Sequence, residues 1–574
     1  MRRIRLFALV VAVSAAILPA VSARAGDPIT LYGSGWGHGL GLSQWGAYGL
    51  ASDGWTSTQI LTHFFSGTKI SKIAHPPGDI RVALATAEPA LHLTAEAGPV
   101  RLSVEEAVGG TLVGKIPDGE TWVVRSVDGA YEVHDADGAV VGGTTWGGPA
   151  SNLYATYADH GARVTVPEGG ATYNRGMLEF NLTACANGCS LRLIARLPFE
   201  EYLLGIGEVP SSWPTEALRA QAVAARSFAL YKIRKYGLQP TCNCHLTDGS
   251  NDQVYVGWDK EGGLDGQRWV KAVHSTAGSV VTYKGAVALT VFTASDGGHT
   301  EDLNVQWGTP LAAYPYLAGV CDPGDYTAAN PWTDWSRQFT AAALTAALAP
   351  YTGDIGAVTG FGKIDRGVSG RIEDAVVRGA EGSGSVSGTE IRSALALPDD
   401  RVWIGADKNV VGAIRAKYDD LMCEPGLPTS IVKALPGGAR QTFQSGAIYR
   451  NAGLDLAIWL KGPVYEEYLI AGGAPGVLGL PIADPRGLGD RGGAACPDGC
   501  SRADFAHGRI YWKGGVGAFG LWGDVLASYN AQGGAGGALG FPTSRVQTHD
   551  DGSASATFEH GTITCASGGH CQTS

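Results

Sequence analysis

The sequence predicts an α+β protein of more than one domain, in which a mixed, β-rich region precedes a module of repeated short strands. Its 574 residues are about four times a typical ~150-residue domain. Residues 80–200 alternate apolar and polar positions between Asp-Gly and Gly-Gly turns, which is typical of strands. A Gly-Gly-Ala pattern that begins at Gly472 begins again at Gly533, which indicates stacked repeats.

Composition excludes several classes of protein. Hydrophobic residues make up 44% and charged residues 17%, so the chain can bury a core and is not globally disordered. The net charge of -11 argues against a general nucleic-acid binder. Glycine is abundant, at 84 residues, but it follows no Gly-X-Y period, which excludes collagen.

Residues 1–25 have the pattern of a secretory signal peptide. A basic start is followed by the apolar run 6–21 and then by Ala23-Arg24-Ala25, a small-residue cleavage site. The alternative is a membrane anchor, but Ser14 and Pro19 interrupt the run, which is shorter than the ~20 residues of a span. No later stretch is long and apolar enough to cross a bilayer. We therefore predict a secreted, acidic protein.

The next elements follow from local patterns. Residues 26–75 hold a glycine-dense loop and then a short helix over 57–65, from its apolar spacing. Within residues 76–425, the alanine-rich stretch 214–231 predicts the strongest helix, because Pro214 suits its first turn and Glu216 lies early in it. Residues 250–420 read as short strands with a few helical pieces.

The C-terminal module, residues 431–574, repeats two elements. Leu-Gly-x-Pro cores end at Pro481 and Pro542, and Phe-x-x-Gly-x-Ile elements begin at Phe443, Phe505 and Phe558. Such spacing indicates one supersecondary unit stacked several times. The repeats resemble the LGFP repeat of exported proteins from bacteria with mycolate-bearing walls. That resemblance implies attachment to a cell-wall polymer; the alternative is a repeat that only packs on its neighbour.

Ten cysteines in an exported chain favour disulfides, and three close pairs are typical of loop staples: 185/189, 496/500 and 565/571. A bridge between Cys242 and Cys244 would be strained, and together with His245 they could hold zinc. Only three ligands are visible there. The alternative is disulfides to more distant partners, for instance Cys321 or Cys423.

Glu208 is the candidate general acid. It lies between the apolar run that precedes it and Val209-Pro210, where partial desolvation would raise the pKa of its carboxyl group. A proton held near neutral pH is what cleavage at a glycosidic oxygen requires. The alternative is a glutamate hydrogen-bonded to the start of the nearby helix.

Residues 197–231, with blocks at 252–257, 293–301, 369–371 and 391–395, resemble the stage II sporulation protein D (SpoIID/LytB) family. Glu208-Val209-Pro210 stands where the family usually has Glu-Met-Pro. Sporulation members are lytic transglycosylases of peptidoglycan, and the resemblance implies that Glu208 is the catalytic acid. Some members bind zinc through His and Cys, although the spacing at Cys242 is not clearly theirs.

The block 33–51 is similar to the family's Gly-Trp-Gly-His-Gly block, which usually follows the other blocks but here precedes them. A permuted order can rebuild the same site, because domain termini often lie close together. We predict that four of its side chains contact sugar, the alternative being a packed glycine-rich loop: Trp36, His38, Gln44 and Trp45.

Further predicted substrate contacts are Arg226, Ser295 and His299. Asp296 and Glu301 share the polar block of Ser295 and could orient sugar as well. A hydrogen-bonded turn is the alternative for this block.

The resulting prediction is an exported, wall-associated lytic transglycosylase. It would cleave MurNAc-GlcNAc bonds of glycan strands and leave 1,6-anhydro-MurNAc ends, while the repeats hold a wall polymer. The first alternative is a non-catalytic amidase enhancer, a type of protein also found in the family. A zinc amidase or peptidase is disfavoured by the lack of a His-Glu-x-x-His motif.

Overall fold

The computed structural model describes residues 28–157, 159, 161–183, 189–405, 410–488, 496 and 499–574. The predicted signal peptide, residues 1–25, lies outside this part of the chain. Within it, every helix is too short or too polar to cross a bilayer.

The chain up to residue 236 is dominated by strands, and the alternating pattern of residues 80–200 predicts those of its central part. The strands are β1 (Ile29–Gly33), β2 (Leu42–Ser43), β3 (Lys69–Lys72), β4 (Asp79–Glu88), β5 (Ala90–Ala95), β6 (Val100–Val104), β7 (Thr111–Ile116), β8 (Thr121–Val127), β9 (Ala130–His134), β10 (Leu153–Tyr157), β11 (Val164–Val166), β12 (Ala171–Tyr173), β13 (Met177–Thr183) and β14 (Ser190–Pro198). The helices are α1 (Gln44–Ser52), α2 (Ser57–Phe64), α3 (Phe199–Tyr202) and α4 (Thr215–Tyr236).

The next stretch mixes short strands and helices, again as predicted. Its strands are β15 (Leu246–Thr247), β16 (Ser279–Tyr283), β17 (Ala286–Val287), β18 (Phe292–Thr293), β19 (Trp335–Phe339), β20 (Val358–Arg366), β21 (Ile372–Gly379), β22 (Ser383–Ser387) and β23 (Val402–Ile404). Its helices are α5 (Trp258–Glu261), α6 (Gly266–Ser275), α7 (Leu303–Trp307), α8 (Ala341–Thr352), α9 (Gly388–Ala394) and α10 (Gly412–Asp420).

Two larger sheets and several small ones build this region. A seven-stranded sheet has the order β15-β4-β14-β13-β10-β6-β7, and a five-stranded sheet has the order β12-β11-β5-β8-β9. The core lies against helix α4, which is buried along most of its length because its alanines allow close packing. Gly237, at φ 62°, follows the helix and ends it.

The N-terminal block pairs with strands that lie far along the chain. Strand β1 pairs antiparallel with β19 and β23, and β2 pairs parallel with β18. Trp36 forms a backbone bridge with Ser295. The block therefore contributes strands to small sheets whose other members come from residues 292–404.

The C-terminal module consists of three four-stranded sheets. Its elements are β24 (Lys433–Leu435), β25 (Gly438–Phe443), β26 (Gly446–Asn451), β27 (Leu456–Lys461), α11 (Gly462–Ile470), β28 (Arg486–Gly487), β29 (Cys500–Phe505), β30 (Gly508–Lys513), β31 (Gly517–Trp522), α12 (Gly523–Ala531), β32 (Gln547–Thr548), β33 (Ala554–Phe558), β34 (Gly561–Cys565) and β35 (Cys571–Thr573). We call the units around Phe443, Phe505 and Phe558 the first, middle and last repeat.

Each repeat packs on the next through the same aromatic contact. Tyr468 of α11 stacks on Phe505 and Tyr529 of α12 stacks on Phe558, both with ring centroids 4.6 Å apart. Tyr529 also donates a hydrogen bond from its hydroxyl to the carbonyl of Gly540, at 2.6 Å. A repeat therefore buries its apolar face only when its neighbour is present.

The disulfides confirm two of the predicted staples and correct one pairing. Cys496–Cys500 and Cys565–Cys571 are the predicted close pairs. Cys185 of the third pair lies outside the described residues. Cys242 bonds to Cys244, and Cys321 bonds to Cys423, so the more distant partners suggested for Cys242 and Cys244 are instead joined to each other.

Candidate active site

A cleft of about 450 Å³ brings together segments from across the first 400 residues. One wall is the N-terminal block, and the other is formed by the turn before α4 and the loop after β15. The lining residues include Trp36, His38, Gln44, Glu208, Asn251, Asp252, Val254, Phe292, Trp307 and Arg392.

Glu208 is partly buried in this cleft and holds two hydrogen bonds. Its Oε1 accepts the backbone N–H of Val254 at 2.6 Å, and its Oε2 accepts Nε2 of Gln44 at 3.5 Å. Burial raises the pKa of the carboxyl group to about 7, with a further contribution from the charge of Asp248. The two hydrogen bonds and the charge of Lys260 oppose this shift. The carboxyl group therefore keeps its proton to a higher pH than an ordinary glutamate does.

Lys260 is the residue of this site that sequence reasoning missed. It is buried in α5, donates from Nζ to the carbonyl of Val209, and lies 5.0 Å from the ring centroid of Trp269. Burial lowers the pKa of its ammonium group to about 8. Since a lone lysine in a polar helix usually faces solvent, no local pattern indicated that this one is buried and acts on the pKa of Glu208.

The loop that presents Val254 is folded by its own aspartates. Asp248 accepts the backbone N–H of Tyr255 at 2.7 Å, and Asp252 accepts that of Thr247 at 2.8 Å. Asp252 also pairs with Lys232, at 2.8 Å. Among the described lining residues, Glu208 is thus the only carboxyl group without a cationic partner within salt-bridge distance.

The N-terminal block contributes an aromatic ring and a neutral imidazole. Trp36 is 43% exposed and meets Trp332 edge-on, with centroids 3.9 Å apart. His38 accepts the backbone N–H of Leu40 on Nδ1 at 3.0 Å and lies edge-on to Trp307. Burial lowers the pKa of His38 to about 3, helped by the nearby charge of Arg392. His38 is therefore neutral and does not supply positive charge to the cleft.

A glycine of this block is needed for its close approach to the rest of the domain. Gly39 has φ 67°, and a Cβ there would lie 2.0 Å from Cζ of Arg371. Arg371 is fully buried and bonds to Asp399 at 2.8 Å. The block is therefore seated directly on an ion pair of the domain interior.

Four predicted substrate contacts lie outside the cleft, and two of them are buried structural residues. Trp45 packs on Trp213, with centroids 4.8 Å apart. Ser295 is fully buried and donates from Oγ to Asp325 at 2.8 Å. Arg226 is fully buried in α4 and pairs with Glu200 at 3.0 Å. Sequence reasoning selected these side chains by type, whereas packing turns them inward.

The fourth, His299, lines a separate cavity of about 210 Å³ with Tyr326 and Arg401. Burial lowers the pKa of His299 to about 4, and its Nδ1 lies 2.6 Å from the carbonyl oxygen of Thr300. Glu301 is fully buried and accepts the backbone N–H of Val368 at 3.0 Å. The residues of this block are thus hydrogen-bonded within the fold, and a sugar contact of His299 stays a prediction.

Arg392 and Trp307 line the cleft although they were not among the predicted contacts. Arg392 lies in the 391–395 block, which the sequence comparison with the family had already marked. The sequence therefore marked the block that contains Arg392, but it did not show that this block lies beside Glu208 in the fold.

Two groups bear on metal binding. Asp296, Asp322 and Asp325 are fully buried, with carboxylate oxygens within 4.8 Å of one another, an oxygen donor set of the kind that Ca²⁺ or Mg²⁺ prefers. Zinc at Cys242, Cys244 and His245 would need two thiolates, and the disulfide between these cysteines does not provide them. A zinc site stays a prediction for the reduced chain only.

Comparison with known proteins identifies two segments. The Stage II sporulation protein (SpoIID) family matches residues 187–283, and the LGFP repeat family matches residues 478–537. The first match contains Glu208, Val254 and Lys260, whereas the cleft residues of the N-terminal block lie outside it.

Three curated relatives match parts of the chain. Stage II sporulation protein D of Bacillus subtilis is 29% identical over 215 residues, covering 36% of this chain and 59% of that protein. Stage II sporulation protein D of Bacillus amyloliquefaciens is 29% identical over 142 residues, covering 23% of this chain and 40% of that protein. The Amidase enhancer of Bacillus subtilis is 37% identical over 118 residues, covering 21% of this chain and 14% of that protein.

In each case the match spans less than two thirds of the relative. The chain thus has one segment that matches the SpoIID family and one that matches the LGFP repeat, a combination that supports a cell-wall-related function.

Proposed function

We propose that this protein is a wall-associated lytic transglycosylase that cleaves MurNAc-GlcNAc bonds of peptidoglycan glycan strands. The observation that carries the proposal is the environment of Glu208. Its carboxyl group is partly buried in a cleft, has a pKa raised to about 7, and is held by Val254 and Gln44. The similarity of this chain to Stage II sporulation protein D supports a substrate in the cell wall.

The reaction needs one carboxyl group used twice. Protonated Glu208 donates its proton to the glycosidic oxygen as the C1–O bond breaks, and GlcNAc leaves as the alcohol. The carboxylate then accepts the proton of the MurNAc C6 hydroxyl while that oxygen bonds to C1, closing a 1,6-anhydro ring. Glu208 ends protonated, as it began, and no water is activated, so a second carboxylate is not required.

The other lining groups have supporting roles in this scheme. Gln44 and Val254 fix the orientation of the Glu208 carboxyl group, and their hydrogen bonds favour the carboxylate that the second step uses. Trp36 offers an exposed ring on which a sugar can stack. Lys260 limits how far the pKa of Glu208 rises.

The test is digestion of purified glycan strands, with and without stem peptides, followed by mass spectrometry. Wild type is expected to release fragments with anhydro-MurNAc ends, and Glu208→Gln is expected to release none. Glu106→Gln, at an exposed glutamate of the β-rich region, is the matched control and should cleave like wild type. Cleavage that persists in Glu208→Gln would remove the catalytic role from Glu208.

We also propose that the repeats attach the enzyme to a wall polymer, on the strength of the LGFP match. Residues 431–574 and the full chain are then both expected to sediment with isolated walls, and a chain ending at residue 430 is not. If the full chain stays soluble, attachment by the repeats is wrong.

The second candidate is an amidase enhancer, favoured by the 37% identity to the protein of that name. It predicts no glycan fragments from this chain alone. It also predicts faster cleavage of the amide bond to the stem peptide when an amidase is added, and no loss of this effect in Glu208→Gln.

A further inference from the structure

The middle repeat gathers positive charge in a pocket, within a chain that is acidic as a whole. A cavity of about 630 Å³ lies between the β29–β30 hairpin and α12. Three guanidinium groups line it, from Arg486, Arg502 and Arg509, and the only carboxylate among its described lining residues is that of Asp504. We call this cavity the arginine pocket.

One carboxylate is shared among the three arginines. Asp504 lies 3.1 Å from Arg502, 2.9 Å from Arg509 and 3.7 Å from Arg486. Nε of Arg502 is buried and has no hydrogen-bond acceptor among the residues that the structure describes. The pocket therefore keeps an excess of positive charge and an unused buried donor, both of which an anion would satisfy.

The fold of a repeat does not require this charge. In the first repeat, the positions of Asp504 and Arg509 are occupied by Thr442 and Ala447, and that repeat forms the same four-stranded sheet. In the last repeat the position of Arg509 is Thr562. The sister repeats are thus an internal control against a purely structural role for Asp504 and Arg509, whereas the first repeat keeps an arginine, Arg440, at the position of Arg502.

Helix α12, which lines the pocket, also has a polar residue where the equivalent helix α11 has an apolar one. Asn530 of α12 lines the pocket and accepts a hydrogen bond from Arg509 at 2.8 Å. The corresponding residue of α11 is Leu469, which is 45% exposed. Apolar side chains form part of the remaining lining, including Ile482, Phe505 and Leu526. A charged rim over apolar side chains suits a sugar that carries an acidic group.

We propose that the arginine pocket binds an anionic saccharide of the wall, through a carboxylate or phosphate group held by Arg486 and Arg502. This inference rests on the proposed wall attachment and names the chemistry that the middle repeat would recognise. Guanidinium groups bind both kinds of anion through paired hydrogen bonds, so the experiment must separate the two sources.

Three sugars built on one ring make the test: N-acetylglucosamine, which is neutral; N-acetylmuramic acid, which adds a carboxylate; and N-acetylglucosamine 1-phosphate. Calorimetric titration into the full chain should show at least one acidic sugar binding about tenfold or more tighter than the neutral one. Whichever acid binds identifies the source of the anion. Equal affinity for all three sugars, or no binding of any, would overturn the proposal.

Substitutions assign the binding to this pocket and not to the cleft of Glu208. Arg502→Gln should lower the affinity for the acidic sugar about tenfold or more. Arg440→Gln, at the corresponding position of the first repeat, should leave it unchanged. Arg486 is 62% exposed, so Arg486→Gln should fold normally and also weaken binding. Acidic-sugar binding that survives both Arg486→Gln and Arg502→Gln would refute the assignment.

Wall sedimentation separates this proposal from the one on which it rests. If the full chain sediments with walls but binds no acidic sugar, the proposed wall attachment stands and the proposed role of the arginine pocket is wrong. If it binds the sugar but stays soluble, the proposed wall attachment is wrong and the role of the arginine pocket stands.

Discussion

Glu208→Gln should change stability as well as activity, and the size of the change follows from the pKa of the carboxyl group. Burial raises this pKa from its ordinary value of 4.5 to about 7. Below pH 4.5 the group is protonated whether the chain is folded or not, so it has no effect on stability. Between pH 4.5 and 7 the unfolded chain loses the proton first, which destabilises the fold. Above pH 7 the group is ionised in both states, so the loss of folding stability no longer changes with pH.

A pKa shift of this size lowers the free energy of unfolding of the wild-type chain by about 3 kcal/mol at pH 8. Glutamine has nearly the same shape and no charge, so Glu208→Gln resembles the protonated enzyme at every pH. The variant is therefore expected to be about 3 kcal/mol more stable than wild type at pH 8 and nearly equal to it at pH 4.5.

The measurement is urea unfolding followed by tryptophan fluorescence at four pH values between 4.5 and 8, using the transition of the region before residue 425. Glu106→Gln serves as the control, because an exposed carboxyl group should give no such difference. Wild-type cleavage should also fall about tenfold per pH unit above 7, as the protonated form disappears. If Glu208→Gln and wild type lose stability in parallel as the pH rises, the raised pKa is wrong.

The remaining predictions concern three other residues. Lys260→Met should raise the pKa of Glu208 further, because the charge of Lys260 lowers it; the alkaline limit of cleavage should then move to higher pH, and an unmoved limit would contradict the coupling. Arg226→Ala should destabilise the fold by about 3 kcal/mol, since it removes a fully buried side chain together with its hydrogen bonds to Glu200 and to the carbonyl of Val273, while KM for glycan stays unchanged in the folded fraction; a raised KM would restore Arg226 as a substrate contact. Tyr529→Phe should cost about 1 kcal/mol in the repeats, from the lost hydrogen bond to Gly540, measured by thermal unfolding of residues 431–574; an unchanged transition would show that the bond contributes nothing.

The sequence determined most of what depends on local pattern. Alternation predicted the strands of residues 80–200, and alanine content predicted helix α4. The spacing of Phe443, Phe505 and Phe558 predicted the repeats, because each unit folds from its own short segment and needs only its neighbour. The motif around Glu208 pointed to an acid, since an apolar run on one side and Val209-Pro210 on the other already suggest burial.

Only the tertiary structure decided which side chains share the cleft. Gln44 and Glu208 are 164 residues apart in the chain but hydrogen-bonded in the fold. The same packing that joins them buries Ser295 and Arg226, which looked equally suited to bind sugar, and brings the unpredicted Lys260 to the acid. The physical reason is that desolvation and charge coupling depend on which distant segments meet. The local pattern around Glu208 suggests its burial, but it does not encode which distant residues share the cleft with it.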